Sequence, residues 1–300
     1  MAKRTPQQAR AARCGVPRSV GSRSPAEQLT TAVVAEPVEH ARAHGAEQGV
    51  AHRDETSGRQ GGKRAWVWGA VTRMGTVLLL RMSRGGQVAR ELRGAHCGGI
   101  LGPDRYRAYH GYPVRWRQLC WAPLLRDCAA MRSRGGASEA IGAALLAQAH
   151  PMFPWWHRGR EGRLPRSTFR SSLTPLRREV ARLLEAGSQC SVATTEGTCR
   201  EMLKRRQALW TFGQVAGGEP TNNTAARAIR PGGQWRTSSF CPQSEAGSRF
   251  VASMMTVVAT LKHQKRNGLD SLTIAHEAAL HGEAAPALLP SCEMPSQAAA

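Results

Sequence analysis

A stretch rich in strand-forming residues runs from residue 65 to residue 82 and reads AWVWGAVTRMGTVLLLRM. Valine, tryptophan and leucine dominate it, and Gly75 divides it into two halves. Branched and aromatic residues on both sides of a glycine are typical of a β-hairpin. We therefore predict two strands here, over residues 65–71 and 76–82.

Strand signals surround this hairpin between about residues 49 and 110. The sequence Ser83-Arg84-Gly85-Gly86 ends the second strand, and residues 87–92 are predicted as a short helix. Residues 97–101 are predicted as a further strand that ends at Gly102-Pro103-Asp104. From about 116 to 187 the pattern is helical. Strands followed by helices predict an α/β core with a helical insertion or appendage.

Three helices are predicted in the second half of the chain. The first runs from Thr174, as the N-cap, to Gly187, with Pro175 in its first turn. The second runs from Ser244 to about Gln264, and the third is capped by Asp270 and ends at Leu280. Their predicted apolar stripes are Leu176, Val180, Leu183 and Leu184 in the first helix, and Phe250, Val251, Met254, Met255, Val258 and Leu261 in the second.

The charge of the chain points to a polyanionic partner. Lys and Arg total 42 against 21 Asp and Glu, so the formal net charge is +21, and only five of the basic residues are lysine. This balance excludes an acidic solvating protein and favours nucleic acid, because the planar guanidinium suits phosphate. The alternative is that arginine, spread over the whole chain, reflects a biased coding composition.

The ends of the chain, its apolar runs and its cysteines favour a reduced, cytoplasmic protein. Residues 1–26 carry six basic residues and no acid, which predicts a disordered basic tail, and residues 282–300 form an Ala/Pro/Ser tail. The longest aliphatic run, residues 77–80, is far shorter than the roughly 20 residues that span a bilayer. No Cys-x-x-Cys pair occurs among the eight cysteines, so we expect free thiols.

Three local features carry candidate chemistry. Asp54-Glu55-Thr56 follows a possible strand, and Asp104 ends another. Taken alone, Asp54 is more typical of a helix cap or turn than of a catalytic carboxylate, and Gly-Pro-Asp likewise favours a tight turn at Asp104. Residues 224–230 are predicted as a helix of about two turns that ends at Pro231. This helix places Arg227 and Arg230 on one face, where they could bind phosphate or form a solvated surface.

A series of motifs resembles, in order, the transposases of the insertion-sequence-66 family. The motifs are Asp54-Glu55-Thr56, Lys63-Arg64-Ala65-Trp66, Ser83-Arg84-Gly85, Asp104-Arg105-Tyr106 with Ala108-Tyr109, Arg117-Gln118-Leu119-Cys120-Trp121-Ala122 with Leu124-Leu125-Arg126-Asp127, Pro220-Thr221-Asn222-Asn223 with Ala226-Arg227-Ala228-Ile229-Arg230-Pro231, Trp235-Arg236 with Ser239-Phe240, and Ser244-Glu245-Ala246-Gly247-Ser248-Arg249-Phe250. The resemblance covers residues 27–281, which we take as the catalytic core with a helical insertion at about 116–187.

The resemblance implies a ribonuclease-H-like core that cleaves and transfers DNA strands with Mg²⁺ or Mn²⁺. In that family an Asp, Asp, Glu triad binds the metal, and Asp54 and Asp104 match the two aspartates. Carboxylate oxygens suit these hard cations, which activate the attacking oxygen in phosphoryl transfer. The implied partners are the DNA of the element ends and of the target, with Arg227, Arg230 and Arg236 as DNA-binding residues. Accessory proteins of the same element, a homo-oligomer on DNA and association with the nucleoid are further expectations.

The chain departs from the family pattern at the third acid. The resemblance places the catalytic Glu at Ala226, whose methyl group cannot ligate a metal. Glu219 and Glu245 are the nearest substitutes, but Glu219 lies two turns, or about 10 Å, before Ala226 along the helix axis, and Glu245 belongs to another motif. Pro123, Thr237 and Cys241 depart as well, and the family's zinc-binding front end is not seen before Asp54.

These departures predict a truncated or degenerate copy with weakly bound metal and weak or absent strand transfer. One alternative is a non-catalytic, basic relic that still binds DNA but no longer catalyses strand cleavage or transfer. The other is a translated fragment that never folds stably.

Overall fold

A computed structural model describes residues 23–93, 100–101, 113–239 and 241–290 of the chain. The chain divides into two compact units. The first comprises the described residues up to 93 and from 224 onward, and the second lies within Gly98–Asn223. The predicted helical insertion at 116–187 falls inside the second unit, and most of the predicted 1–26 tail lies outside the described residues.

The first unit is a mixed α/β structure. Its elements are α1 (Arg23–Val33), α2 (Ala35–Glu47), β1 (Val50–Gln60), β2 (Lys63–Val71), β3 (Thr76–Arg81), α3 (Gly86–Arg93), α10 (Asn223–Ser238), α11 (Glu245–His263) and α12 (Gly268–Leu280). The predicted hairpin is confirmed as β2 and β3, which pair antiparallel with Val71 opposite Thr76. The predicted short helix at 87–92 is confirmed as α3.

Strand β1 extends further than predicted. It passes through Asp54 to Gln60 and pairs antiparallel with β2, where the sequence indicated a strand that ends before Asp54. Gly61 and Gly62, both with positive φ, form the two-residue turn to β2. Because β1 is rich in polar residues, its sequence shows only weakly the residue pattern that is typical of a strand. The length of β1 is set by its pairing with the apolar strand β2.

The open edge of β3 is covered by α11. The Thr256 hydroxyl accepts from the Leu78 backbone N–H (2.9 Å), and the Thr260 hydroxyl accepts from Thr76 N (3.1 Å) and lies 2.9 Å from the Thr76 carbonyl oxygen. These threonines are one helical turn apart and satisfy backbone groups that an exposed edge strand would leave unpaired. The predicted helix is confirmed, with Ser244 as its N-cap, but the predicted apolar face is wrong at Val258, which is 50% exposed.

Two further helix boundaries correct the predictions. Helix α10 does not stop at Pro231 but continues to Ser238, because Ile229 and Gly232 on both sides of the proline pack on the sheet. Helix α12 is capped by Asn267, whose side chain accepts from the N–H groups of residues 269 and 270, and Asp270 lies in the first turn instead. A capping side chain accepts from N–H groups two or three residues after its own position, so the cap lies at Asn267, three residues before Asp270.

The second unit is predominantly helical. Its elements are β4 (Ile100–Leu101), α4 (Trp121–Ser133), α5 (Gly136–Ala149), α6 (Met152–Arg160), α7 (Arg166–Gly187), α8 (Ala193–Lys204) and α9 (Thr211–Gln214), with 3-10 turns at Val114–Trp116 and Arg206–Leu209. Strand β4 agrees with the end of the strand predicted at 97–101; residues 94–99 lie outside the described residues. The core consists of apolar side chains of α4, α5, α7 and α8 with Trp210 and Phe212.

Helix α7 begins eight residues earlier than predicted. Phe169 and Leu173 are buried and continue the predicted stripe toward the N-terminus, so the helix extends through Pro175. The hydroxyl of Thr174 donates to the Arg170 carbonyl (3.4 Å), a bond within the helix, and does not form the predicted cap. All four predicted stripe residues of α7 are buried, as expected.

The cysteines described by the structure are free thiols, in agreement with the sequence; Cys14, Cys97 and Cys292 lie outside the described residues. Burial raises the pKa of the Cys199 thiol to about 11, with a smaller contribution from neighbouring Cys190. Every helix among the described residues is too short or too polar to span a lipid bilayer.

Candidate functional site

Asp54 lies in the middle of β1, opposite Gly69 of β2. Residues directly opposite each other in an antiparallel pair direct their side chains to the same face of the sheet. A Cβ placed on Gly69 would lie 2.4 Å from Cγ2 of Ile229, so the glycine makes room for α10. Helix α10 therefore lies on the face of the sheet toward which the Asp54 carboxylate is directed.

Helix α10 runs along β1 in the same direction as the strand. A Cβ placed on Gly233 would lie 3.8 Å from Oγ1 of Thr56, and Nη1 of Arg236 donates to the Ser57 carbonyl oxygen at 3.0 Å. Later residues of the helix thus meet later residues of the strand. Arg236 also bonds the hydroxyl of Ser57, which ties the last turn of α10 to β1.

These contacts place position 226 relative to Asp54. Ala226 precedes Gly233 by seven residues, or two turns, so both lie within about 20° of each other around the helix axis and share the side that faces β1. Ala226 also precedes Ile229 by about 4.5 Å along the axis, and Ile229 packs at the level of Asp54. The Ala226 methyl group is exposed. A longer side chain at this position would extend on the same face of the sheet as the Asp54 carboxylate.

The neighbouring carboxylate, Glu55, is directed to the opposite face. Its side chain is 1% exposed, and Oε1 accepts from Nη2 of Arg84 at 2.9 Å. The Arg84 guanidinium also lies 4.5 Å from the ring centroid of Trp66, a cation–π contact. The structure therefore joins three of the sequence motifs, those at 54–56, 63–66 and 83–85, in one structural cluster. Sequence reasoning assigned no role to Glu55 or Arg84, because their separation of 29 residues hides the pairing.

The predicted DNA-binding arginines differ in their surroundings. Arg227 and Arg230 are exposed on α10, and the only partner seen for either among the described residues is the Thr224 hydroxyl, 3.3 Å from Nη2 of Arg227. Arg236 is partly buried and held by Ser57. Two of the three guanidinium groups are therefore directed to solvent beside position 226, and the third positions the helix.

Asp104 lies outside the described residues, so the structure gives no distance from it to Asp54. Glu245 lies at the other end of β1: the hydroxyl of Ser248, one turn after it, is 2.6 Å from Oε1 of Gln60. Six strand residues separate Gln60 from Asp54, or about 20 Å. Glu245 therefore cannot share a metal ion with Asp54 in this arrangement.

The described residues supply an incomplete set of metal ligands. Asp54 offers a hard carboxylate oxygen of the kind that Mg²⁺ prefers. Glu55 is engaged with Arg84 on the other face, and Ala226 offers no ligand. Nowhere in the described ranges do three or more His, Cys, Asp or Glu side chains come together as a metal site. The described side chains alone thus do not make a tight metal centre.

Comparison with known proteins places the chain in a family. Its residues 7–250 match the family model described as Transposase IS66 family. The chain belongs to the IS66 transposase family, as its motifs predicted, although the matched range begins and ends earlier than residues 27–281. Neither the curated proteins nor the solved structures gave a match.

Proposed function

We propose that the protein is a DNA transposase by descent whose strand cleavage and transfer depend on a divalent metal and are weak or lost in this copy. The observation that carries the proposal is the placement of position 226. Position 226, which the resemblance makes acidic, lies on α10, on the side that faces β1 and within about one turn of the level of Asp54. Three antiparallel strands with a helix laid along β1 also support a ribonuclease-H-like core.

In this proposal Asp54 and Asp104 hold the metal, which, when bound, activates the attacking oxygen and stabilises the leaving one. The chain's own residues set the geometry. Pairing of β1 with β2 holds the backbone of Asp54 in place. The hydrogen bond from Arg236 to Ser57 holds the last turn of α10 against β1. Arg227 and Arg230 bind the phosphates of the DNA strand next to the metal, because their guanidinium groups are exposed on the same helix.

The loss of the third acid explains the weak activity that we propose. A missing metal ligand removes several kcal/mol of transition-state stabilisation, and about 1.4 kcal/mol corresponds to a tenfold change in rate. Ala226 is exposed, so the substitution leaves the core unaffected and removes only the ligand. The second candidate function is that of a DNA-binding relic without catalytic activity. The distance between Glu245 and Asp54 favours this function, because Glu245 is too far away to replace the missing metal ligand.

The test restores the acid. We expect the full-length wild-type chain to show little nicking of supercoiled plasmid DNA with Mn²⁺, and Ala226→Glu to raise the nicking rate at least a hundredfold. Ala226→Gln is the matched control, since it adds the same length without the charge. Adding Asp54→Asn to Ala226→Glu should return nicking to the wild-type level.

Two outcomes contradict the proposal. Nicking by the wild-type chain that Asp54→Asn abolishes would show that another carboxylate already completes the site. Equal nicking by Ala226→Glu and Ala226→Gln would show that position 226 does not supply a ligand. Manganese binding measured by electron paramagnetic resonance provides a second readout, because Ala226→Glu should tighten it even where DNA is absent.

A further inference from the structure

The second unit contains a cleft rich in arginine. It lies between α7 and the segment that includes the 3-10 turn Arg206–Leu209 and Trp210, as two adjoining hollows of about 430 and 380 Å³ that share Thr174, Arg177 and Trp210. Four arginines line the two hollows: Arg170, Arg177, Arg178 and Arg206. No acidic side chain is among the described residues that line them.

The arginines of α7 follow the exposed side of the helix. Arg170 and Arg177 are seven residues apart, so they lie nearly in line, separated by about 10.5 Å along the axis. Arg206 approaches from the other wall of the cleft. Trp210, which is buried and packs edge-to-face on Trp121 with ring centroids 5.2 Å apart, gives the cleft a rigid base.

These four guanidinium groups are available to a ligand. All four are exposed, and none has a side-chain hydrogen bond or ion pair with the residues described by the structure. The acid nearest in sequence, Glu179, is engaged by Arg182 at 2.6 Å and does not neutralise them. By contrast, arginines elsewhere on this unit are paired, as in Arg200–Glu196 (2.7 Å). The cleft therefore carries concentrated, uncompensated positive charge.

We infer that this cleft binds the sugar–phosphate backbone of DNA, at a second contact surface besides the Asp54 face. The inference rests on the proposed function, which supplies DNA as the substrate. Arginine forms strong, bidentate bonds with phosphate, and the hydroxyls of Ser167, Ser171 and Thr174 along the same hollow can add bonds to phosphate oxygens.

The arrangement fits an extended polyanion better than a small anion. A site for a single small anion brings buried donors together at one point, whereas these arginines are exposed and distributed along α7. The 10.5 Å between Arg170 and Arg177 corresponds to about three nucleotides of one DNA strand, at roughly 3.4 Å along the duplex axis each. Such a row can contact several phosphates at once without reading the bases.

The first experiment measures how the affinity of the full-length chain for a random-sequence 30-base-pair duplex depends on salt, by fluorescence anisotropy. Each lost phosphate contact lowers the slope of log affinity against log salt by about 0.9. We expect Arg170→Gln/Arg177→Gln to lower it by about 1.8, and Arg206→Gln by about 0.9. The matched control is Arg126→Gln/Arg132→Gln, which removes the same charge from exposed positions of α4. An equal effect of both double variants overturns the inference.

The second experiment maps protection directly. Phenylglyoxal modification of arginine, read by mass spectrometry with and without the duplex, should show Arg170, Arg177 and Arg206 protected and Arg126 unprotected. Unchanged modification of the cleft arginines, or protection by RNA duplex but not by DNA, would overturn the inference. Failure of Ala226→Glu to nick DNA would count against the proposed chemistry and leave these binding results standing, so the two failures are distinguishable.

Discussion

Two consecutive carboxylates, Asp54 and Glu55, have opposite surroundings. Glu55 is enclosed and neutralised by Arg84, which in turn lies over Trp66. Asp54 faces α10, the helix that carries Ala226. Successive side chains of a strand point to opposite faces of the sheet, so two adjacent residues can have such different surroundings.

The two faces of the sheet therefore differ in role: the Glu55 face stabilises the sheet, and the Asp54 face is the one that would take part in catalysis. On the Glu55 face the buried carboxylate is paired with the Arg84 guanidinium, as in a structural core. On the Asp54 face the carboxylate is only partly buried and its own backbone neighbour, the N–H of Glu55, donates to Oδ1 at 3.0 Å. Changes on the first face should therefore affect stability, and changes on the second should affect activity.

The largest effect on stability is expected from Arg84→Ala, which removes the guanidinium that bonds the buried Glu55 carboxylate. Removing one partner of a buried pair costs about 3 kcal/mol or more of the free energy of unfolding. The matched control is Arg81→Ala, because the Arg81–Glu91 pair is about one-third exposed on both sides and such pairs contribute about 1 kcal/mol or less. Urea unfolding monitored by circular dichroism measures both.

The same measurement on Asp54→Asn sharpens the contrast between the two faces. We expect a change of about 0.5 kcal/mol or less, as for a polar substitution outside the core. A loss as large as that of Arg84→Ala would show that Asp54 also has a structural role, and the division between the faces would fail.

An effect smaller than that of Arg84→Ala is expected from Gly69→Ala, which tests the packing of α10 on the Asp54 face. The added methyl group would meet Cγ2 of Ile229 at 2.4 Å, so the helix must shift from the sheet, at a cost of about 1–3 kcal/mol. Gly58→Ala in β1 is the control, because its nearest neighbours lie at 3.6 Å or more. If the two variants unfold at the same urea concentration, α10 does not pack as described.

The smallest loss expected from removing a structural contact concerns the edge of β3. Thr256→Val and Thr260→Val keep the shape of the side chain and remove the hydroxyl that bonds the strand backbone, so each should cost about 1 kcal/mol. Thr237→Val on α10, whose hydroxyl is exposed, should change stability by less than half of that. Amide hydrogen exchange should increase at Leu78 and Thr76 in the respective variants, and unaltered exchange there would contradict this role of α11.

The limits of prediction follow from particular residues. The β2–β3 hairpin and the helix that begins after Ser244 were predictable, because apolar periodicity and a local cap act within one segment. The strand character of Asp54, the passage of α10 through Pro231 and the extension of α7 to Arg166 were not. In each case packing outside the segment overrides the local preference of proline or of polar residues.

The sequence by itself determined the family through its ordered motifs, the positive charge through its composition and the hairpin through one local stretch. The replacement of the third acid by Ala226 stays a prediction. Only the tertiary structure decided that Asp54 and position 226 share a face, that Glu55 belongs to Arg84, and that four dispersed arginines border one cleft. The residues concerned lie 29 positions apart for Glu55 and Arg84, up to 36 for the cleft arginines and 172 for Asp54 and Ala226. The formation of such contacts depends on how the elements pack, which no local pattern encodes.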